Sequence, residues 1–278
     1  MFSLRRIVSL AVFALVASTA SAQSGPMLTP SAFIEAPGHI GFDLFGQTMG
    51  KEPNYLSYAE NGTFHLRTRV DGPVLRFNYV PSERAEFAAE FNVQTYAIND
   101  PRYKTTISDF GDGVLRAKLG LAKGEVSHSP AVALQFEVIL PMTSFGNGLG
   151  PNTVRLESVL LTGYKTEKLT LGGRIGIAIQ DEPLRAHEQR DFLVLSGSIA
   201  YKVSEAFEVF ADGGGFYGDG VPGAHADSEV RAGLKYNRSM FGKPSSFYIA
   251  GRRGLVDFTG DWGVIAGLTT AIRSGVTP

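Results

Sequence analysis

The sequence predicts an all-β protein, an antiparallel up-and-down transmembrane β-barrel of about twelve strands. Three observations lead to this fold class. Apolar and polar residues alternate in runs of about ten residues, turn-forming residues separate the runs, and the connections between runs are alternately short and long.

The stretch 110–140 shows the alternation most clearly, as two runs on either side of a short turn. In the first run Arg116 and Lys118 lie opposite an apolar face, and in the second run Gln135 and Glu137 do so. The apolar faces hold Leu115, Ala117, Leu119 and Leu121 in the first run and Val132, Leu134, Phe136, Val138 and Leu140 in the second. A soluble β-sandwich would bury such a face, whereas a transmembrane barrel turns it to lipid and keeps the charges in its lumen.

Similar runs predict the remaining strands. In chain order the twelve lie near 38–47, 61–80, 84–97, 110–121, 130–140, 152–164, 168–180, 191–203, 205–217, 227–238, 245–255 and 262–273. Asp71-Gly72-Pro73 interrupts the second run and could instead form a hairpin, which would make thirteen strands. Because bacterial barrels have an even number of strands, we interpret 61–80 as one long, bent strand. The alternative is a first strand outside the barrel.

The connections indicate an orientation. Those at 165–167 and 204–205 are short, while those near 98–109, 141–151, 181–190 and 218–226 are longer and rich in Gly, Pro, Asn and Asp. Short periplasmic turns and longer external loops are typical of barrels in the bacterial outer membrane.

The N-terminus resembles a secretory signal peptide. Arg5 and Arg6 precede an apolar stretch over 7–17, and Ala20-Ser21-Ala22 forms a small-residue cleavage site. We therefore expect residues 1–22 to be a signal peptide cleaved near Ala22, 23–37 to be an extended lead-in with three prolines, and 38–278 to be the barrel. This organisation predicts localisation in the outer membrane of a Gram-negative cell.

Composition excludes several classes of function. The chain has no Cys, which rules out thiolate catalysis and cysteine metal sites. Removing 1–22 takes away two of the 26 basic residues and none of the 27 acidic ones, so the mature net charge is −3 and does not indicate nucleic-acid binding. No cofactor or metal motif is evident. The expected partners are the lipid bilayer, the outer-membrane assembly machinery and an unidentified small-molecule solute.

The residues that alternate with the apolar ones, on the opposite face of each strand, carry charges of both signs on neighbouring strands. We expect these side chains to form ion pairs across the lumen and to set the selectivity of a pore. The candidates are Arg67, Arg69, Arg76, Glu90, Arg116, Lys118, Glu137, Arg155, Glu157, Arg174, Arg231 and Lys235.

The sequence offers little support for an enzyme. None of the five His has a Ser or Asp at a spacing that suggests a catalytic triad, and Ser127-His128-Ser129 is interpreted as a polar turn. Gly213-Gly214-Gly215 has no following helix, so it does not indicate a phosphate-binding loop.

Several short motifs carry a family resemblance. Gly111-Asp112 followed by Leu115 and Lys118 is similar to a GD-x-x-L-x-x-K segment, and Leu140-Pro141 with Gly148-Leu149-Gly150 resembles an "LP, then G-x-G" turn. Ala36-Pro37-Gly38 and Asp261-Trp262 are similar to the first and last strand starts of the same family. Over most of 36–273 the chain thus resembles outer-membrane transporters of the MetA-pathway of phenol degradation family. The resemblance implies a β-barrel and uptake of small aromatic or other hydrophobic molecules, and it implies no catalytic residues.

The sequence therefore predicts a porin-like outer-membrane channel or transporter for passive passage of small molecules. The sequence leaves three alternatives open: a barrel enzyme acting on lipid, a non-conducting structural barrel, and a soluble periplasmic β-sandwich.

Overall fold

A computed structural model describes residues 28–54, 65–100, 103–142, 154–181, 189–218, 228–256 and 259–273. Within these ranges the elements are thirteen β-strands. They are β1 (Ile40–Asn54), β2 (His65–Ser82), β3 (Ala85–Asp100), β4 (Tyr103–Phe110), β5 (Gly113–Ala122), β6 (Ala131–Leu140), β7 (Arg155–Lys165), β8 (Leu169–Asp181), β9 (Gln189–Lys202), β10 (Phe207–Tyr217), β11 (Ser228–Met240), β12 (Lys243–Gly254) and β13 (Trp262–Arg273). The predicted signal peptide and the Gly148–Gly150 motif lie outside the described residues. Among the described residues, no helix is long and apolar enough to cross a membrane.

The sheet closes on itself as an antiparallel barrel of twelve strand positions. Strand β1 pairs with β2 on one side and with β13 on the other. Strands β4 and β5 share one position, because β4 pairs with the second half of β3 and β5 pairs with the first half. The predicted fold class is therefore confirmed.

Gly111 marks the break between β4 and β5. Its amide donates to the carbonyl of Asn92 at 2.9 Å, and a Cβ at this position would collide with the Asn92 side chain. The ladder is interrupted here, with Asn92 lying between the part of β3 that pairs with β4 and the part that pairs with β5.

The long second strand is also as predicted. Strand β2 is continuous from His65 to Ser82, with a register shift between Asp71 and Val74 where the Gly72–Pro73 peptide is cis. Strand β1 is paired on both sides, so a first strand outside the barrel is wrong.

The predicted long connection near 98–109 is wrong. Strand β3 continues to Asp100, and β4 returns antiparallel to it from Tyr103. The β-branched residues Thr105, Thr106 and Ile107 suit a strand, so the turn residues around 99–101 mark only the tip of a hairpin.

The outer surface of the barrel is apolar, as the alternation predicts. Large hydrophobic side chains are exposed around the wall, among them Phe87, Phe91, Leu115, Phe136, Ile175, Ile177, Leu195, Leu234 and Ile249. Short connections at 83–84, 166–168, 203–206 and 241–242 meet at one end, which we call the short-turn end. The exposed rings of Tyr79, Tyr201 and Tyr236 lie in the strands beside these turns. An apolar band with aromatic residues at its edge is the exterior that a lipid bilayer requires.

Candidate functional site: the barrel lumen

All twelve predicted lumen residues have buried or half-buried side chains. Eight of them line one central cavity: Arg76, Glu90, Arg116, Lys118, Glu137, Arg155, Arg174 and Arg231. The other four contact inward-facing groups around it. Arg69 binds Asp71, Arg67 stacks on Tyr96, Glu157 pairs with Arg174, and Lys235 pairs with Glu208.

One chain of ion pairs, which we call the central network, crosses neighbouring strands from β1 to β6. Arg76 pairs with Asp43 at 3.6 Å and donates from Nε to Glu90 at 2.9 Å. Arg116 donates to the same Glu90 at 2.9 Å and to Glu137 at 2.6 Å. Because each of these side chains is largely withdrawn from water, removing one cation would leave buried carboxylates uncompensated.

A second chain of contacts, which we call the seam network, runs from β11 and β12 across β13 to β1 and β2. Arg252 donates to Glu229 on one side and to Gln47 on the other, each at 2.9 Å. Gln47 in turn donates to Asp71 at 2.8 Å, and Arg69 donates to Asp71 at 2.7 Å. These contacts bridge β13, where a Cβ on Gly263 would lie only 2.9 Å from the Arg252 side chain.

Residues 28–38, which we call the N-terminal segment, lie inside the barrel. Gly38 donates its amide to the Val80 carbonyl at 2.7 Å, beside the start of β1. At the other end, the Leu28 amide donates to Asp212 Oδ2 at 2.6 Å, and the Leu28 carbonyl accepts from Arg174 at 3.1 Å. Strands β8 and β10 lie across the barrel from β1, so the segment crosses the lumen.

The barrel wall is shaped to hold this segment. Ala32 is only 3% exposed and packs with Ala133, Leu161 and Val194 in an apolar cluster inside the lumen. A Cβ on Gly163 would lie 2.9 Å from the Phe33 ring, and a Cβ on Gly120 would lie 2.9 Å from Ile34. Small inward-facing residues on β5, β6 and β7 thus create the space that the segment fills.

Glu35 is the acidic group of the N-terminal segment. Burial raises the pKa of its carboxyl, and the nearby Glu86 carboxylate raises it further, while His39, Lys165 and Lys118 act in the opposite direction. The segment therefore carries a carboxyl group that is ionised less readily when it is docked than when it is in water.

Among the described residues, the lumen contains a cavity of about 280 Å³. Leu28, Pro30, Phe33 and Glu35 of the N-terminal segment form part of its lining, and the central network forms another part. Phe216 also lines it, and the Arg155 guanidinium stacks over that ring at 4.5 Å from the centroid. Among the described residues, no cluster of His, Cys, Asp or Glu could hold a metal ion.

Sequence reasoning missed the N-terminal segment as part of the lumen, since we expected only an extended lead-in there. A usable signal was present in the strands. Gly120, Gly163 and Gly172 occupy strand positions that face the lumen, and all three face the N-terminal segment. A lumen filled by the side chains of its own strands would carry larger residues at these positions. Sequence reasoning also missed Asp43 and Gln47, two residues of β1 that take part in the central and seam networks.

Comparison with known proteins identifies the family. Residues 44–242 match the family described as the MetA-pathway of phenol degradation. The chain belongs to this family. The match spans well over half of the sequence and confirms the resemblance that the short motifs carry.

Two solved structures have a similar fold. The COG4313 outer membrane channel from Pseudomonas putida F1 superposes with a TM-score of 0.60 at 13% identity, covering 87% of this chain and 98% of that one. The KdgM porin in complex with disordered oligogalacturonate gives a TM-score of 0.52 at 10% identity, covering 84% and 99%. At such low identity these likenesses establish the fold of this family member. No curated protein matches its sequence.

Proposed function

We propose that this family member is an outer-membrane channel through which small molecules pass by diffusion. One observation carries the proposal: a closed barrel with an apolar exterior encloses a charged lumen that still contains a cavity of about 280 Å³. Two proteins with this fold are themselves an outer membrane channel and a porin, which supports the same function. The family adds small aromatic or hydrophobic molecules as candidate solutes.

The proposed orientation places the short-turn end in the periplasm, as in other bacterial barrels. The N-terminal segment enters the lumen from this end, beside the start of β1. Solute would then enter from the outer side, reach the cavity, and pass the segment. The segment therefore forms the narrowest part of the path, and the charges around the cavity set selectivity.

A non-conducting structural barrel is the second candidate function. The density of ion pairs in the lumen favours it, since Glu90 alone holds two arginines and Glu229 another two. Such networks stiffen a barrel whether or not solute crosses it.

The proposal favours a channel over an enzyme. His128 lies exposed in the turn between β5 and β6, and its Nδ1 lies 2.8 Å from the Val126 carbonyl. This contact supports the interpretation of Ser127-His128-Ser129 as a turn.

Solute flux into proteoliposomes separates the two candidates. We expect vesicles that contain the purified protein to swell in glycerol or arabinose and not in the tetrasaccharide stachyose. Vesicles without protein are the control, and a mobility shift between boiled and unboiled protein on an SDS gel confirms that the barrel is folded. Absence of swelling with every small solute from folded protein would favour the structural barrel.

A further inference from the structure

We propose that the central cavity binds a small organic carboxylate with an apolar body. The site lies between the N-terminal segment and the central network. This inference rests on the proposed channel function and names the chemical class of solute that the channel selects.

The size of the cavity limits the ligand. Its volume of about 280 Å³ lies just below the range for small-molecule pockets, which is about 300–1,000 Å³. A single ring or a short chain fits such a space, while an oligosaccharide does not.

The charges that line the cavity favour an anion. Six basic side chains and four carboxylates contribute to the lining, and three of these cations also pair with acids behind it: Arg76 with Asp43, Arg174 with Glu157 and Arg231 with Glu229. The acids are also occupied by wall contacts, because Glu90 and Glu137 accept from Arg116 and Glu86 accepts from Lys118. A carboxylate that enters the cavity meets the Lys118 ammonium group, which has three donor hydrogens, and the Arg155 guanidinium. In a site of low dielectric constant, charge-assisted hydrogen bonds to such donors are strong.

Gln135 supplies a hydrogen-bond donor that the described protein atoms do not use. This side chain is 2% exposed and lines the cavity, and its Nε2 has no acceptor among the described residues. A buried amide donor without a partner costs free energy, so a ligand oxygen placed against it is favoured. Gln135 is paired across the sheet with Lys118, so both donors face the same part of the cavity.

Aromatic rings supply the apolar part of the site. Phe33, Phe45 and Phe216 all line the cavity, on the N-terminal segment, β1 and β10 respectively. An inorganic anion would satisfy the donors and leave the cavity-facing surfaces of these rings uncovered. A carboxylate attached to a ring or an alkyl chain satisfies both, because its body can pack on the rings while its oxygens face the donors.

Titration calorimetry on the full folded chain in detergent tests the site, with sodium benzoate and cyclohexanecarboxylate as probes. We expect both to bind. Benzyl alcohol, which lacks the charge, and benzylamine, which reverses it, are expected to bind at least about tenfold more weakly. Equal binding of benzoate and benzyl alcohol would overturn the proposal.

Variants locate the binding. Gln135→Leu keeps the volume and removes the donor, and Arg155→Gln removes the charge above Phe216, so each is expected to weaken benzoate binding by about tenfold. Arg253→Gln is the matched control, since Arg253 stacks on Trp262 at 4.6 Å and does not line the cavity. Unchanged affinity in both cavity variants, with folding checked by gel mobility, would overturn the assignment to this cavity.

The result for the carboxylate site can be distinguished from the result for the channel. Proteoliposomes that swell in glycerol while the protein fails to bind benzoate would remove the site and leave the channel intact. Benzoate binding without any solute flux would keep the site and remove the channel.

Discussion

At the residue scale, Arg116 links two buried carboxylates of the lumen. Its guanidinium joins Glu90 of β3 to Glu137 of β6 at 2.9 and 2.6 Å, and its side chain is mostly buried. Glu90 is held by Arg76 as well, so removing Arg116 leaves that carboxylate with one arginine and takes the 2.6 Å hydrogen bond from Glu137. The arginine therefore stabilises the wall itself, whatever it does for passing ions.

Replacing Arg116 with Met is expected to lower the free energy of unfolding by about 3–5 kcal/mol, because the buried Glu137 carboxylate loses its hydrogen bond to Arg116 and Glu90 loses one of its two arginines. Lys123→Met is the control. The Lys123–Glu83 pair is 3.4 Å long with both side chains well exposed, so its loss is expected to cost less than about 1 kcal/mol. Urea unfolding of the two variants in the same lipid or detergent measures the difference, and equal losses would contradict the account.

Glu35 predicts how conductance depends on pH. Its pKa is raised in the docked segment, so the docked state binds a proton more readily than a displaced segment does. Acidification through that raised pKa therefore stabilises docking, and rising pH weakens it. We expect single-channel conductance to fall as the pH is lowered, and this dependence to be lost in Glu35→Gln. The same pH dependence in wild type and Glu35→Gln would assign it to other groups.

At the element scale, the strands differ in how far the sequence determines them. Alternation in 110–140 correctly predicts β5 and β6, since every second residue must be apolar to face outside. The preference for an even number of strands also correctly interprets Asp71-Gly72-Pro73 as a bend, because dividing 61–80 in two would have made the twelve predicted strands thirteen. Strand β4 was missed because Asn99, Asp100 and Pro101 indicate a loop, and only pairing with β3 shows how short that loop is.

The N-terminal segment could not be predicted from its own residues. Its prolines indicate an extended chain, and nothing local shows that the chain turns into the barrel. The contacts that hold it, such as Leu28 with Asp212, join residues 184 positions apart. Its docking site is visible only when the glycines of several strands are placed on one inner face.

Docking of the segment can be tested with a bulky residue at its contact site. In Gly163→Val the new side chain meets the Phe33 ring, so we expect the segment to be displaced. Because the chain has no Cys, Ser31→Cys provides a single reporter thiol in the segment. We expect a membrane-impermeant maleimide to label that thiol several-fold faster when Gly163→Val is also present.

Gly251→Val is the matched control for this experiment. Gly251 lies on the exposed face of β12, and a Cβ there has no atom within 4 Å. It should leave the labelling rate unchanged. Equal acceleration by both valines would show that the effect arises from the wall and not from contact with the segment.

At the scale of the whole molecule, the apolar exterior predicts how the barrel sits in a bilayer. Trp262 is the only tryptophan of the chain, and it is 62% exposed at the start of β13, opposite the short-turn end. Aromatic rings in such positions lie at the level of the lipid head groups. We expect lipids with a spin label near the head group to quench its fluorescence more strongly than lipids labelled at the chain end. Quenching by aqueous iodide alone would contradict a lipid-facing exterior.

The two candidate functions, a channel and a non-conducting structural barrel, predict different behaviour of the whole molecule. Both share the apolar wall, the central network and the N-terminal segment. They differ only in whether a path past the segment conducts. If it does, the segment is the main resistance, since it crosses the lumen between β1 and the strands opposite.

Single-channel recording in planar bilayers tests that claim most directly, with the wild-type chain compared with a variant that lacks residues 28–36. We expect small, discrete conductance steps for the wild type and several-fold larger steps for the deletion variant. Folded barrels of both proteins that insert and show no steps would contradict a channel through this lumen.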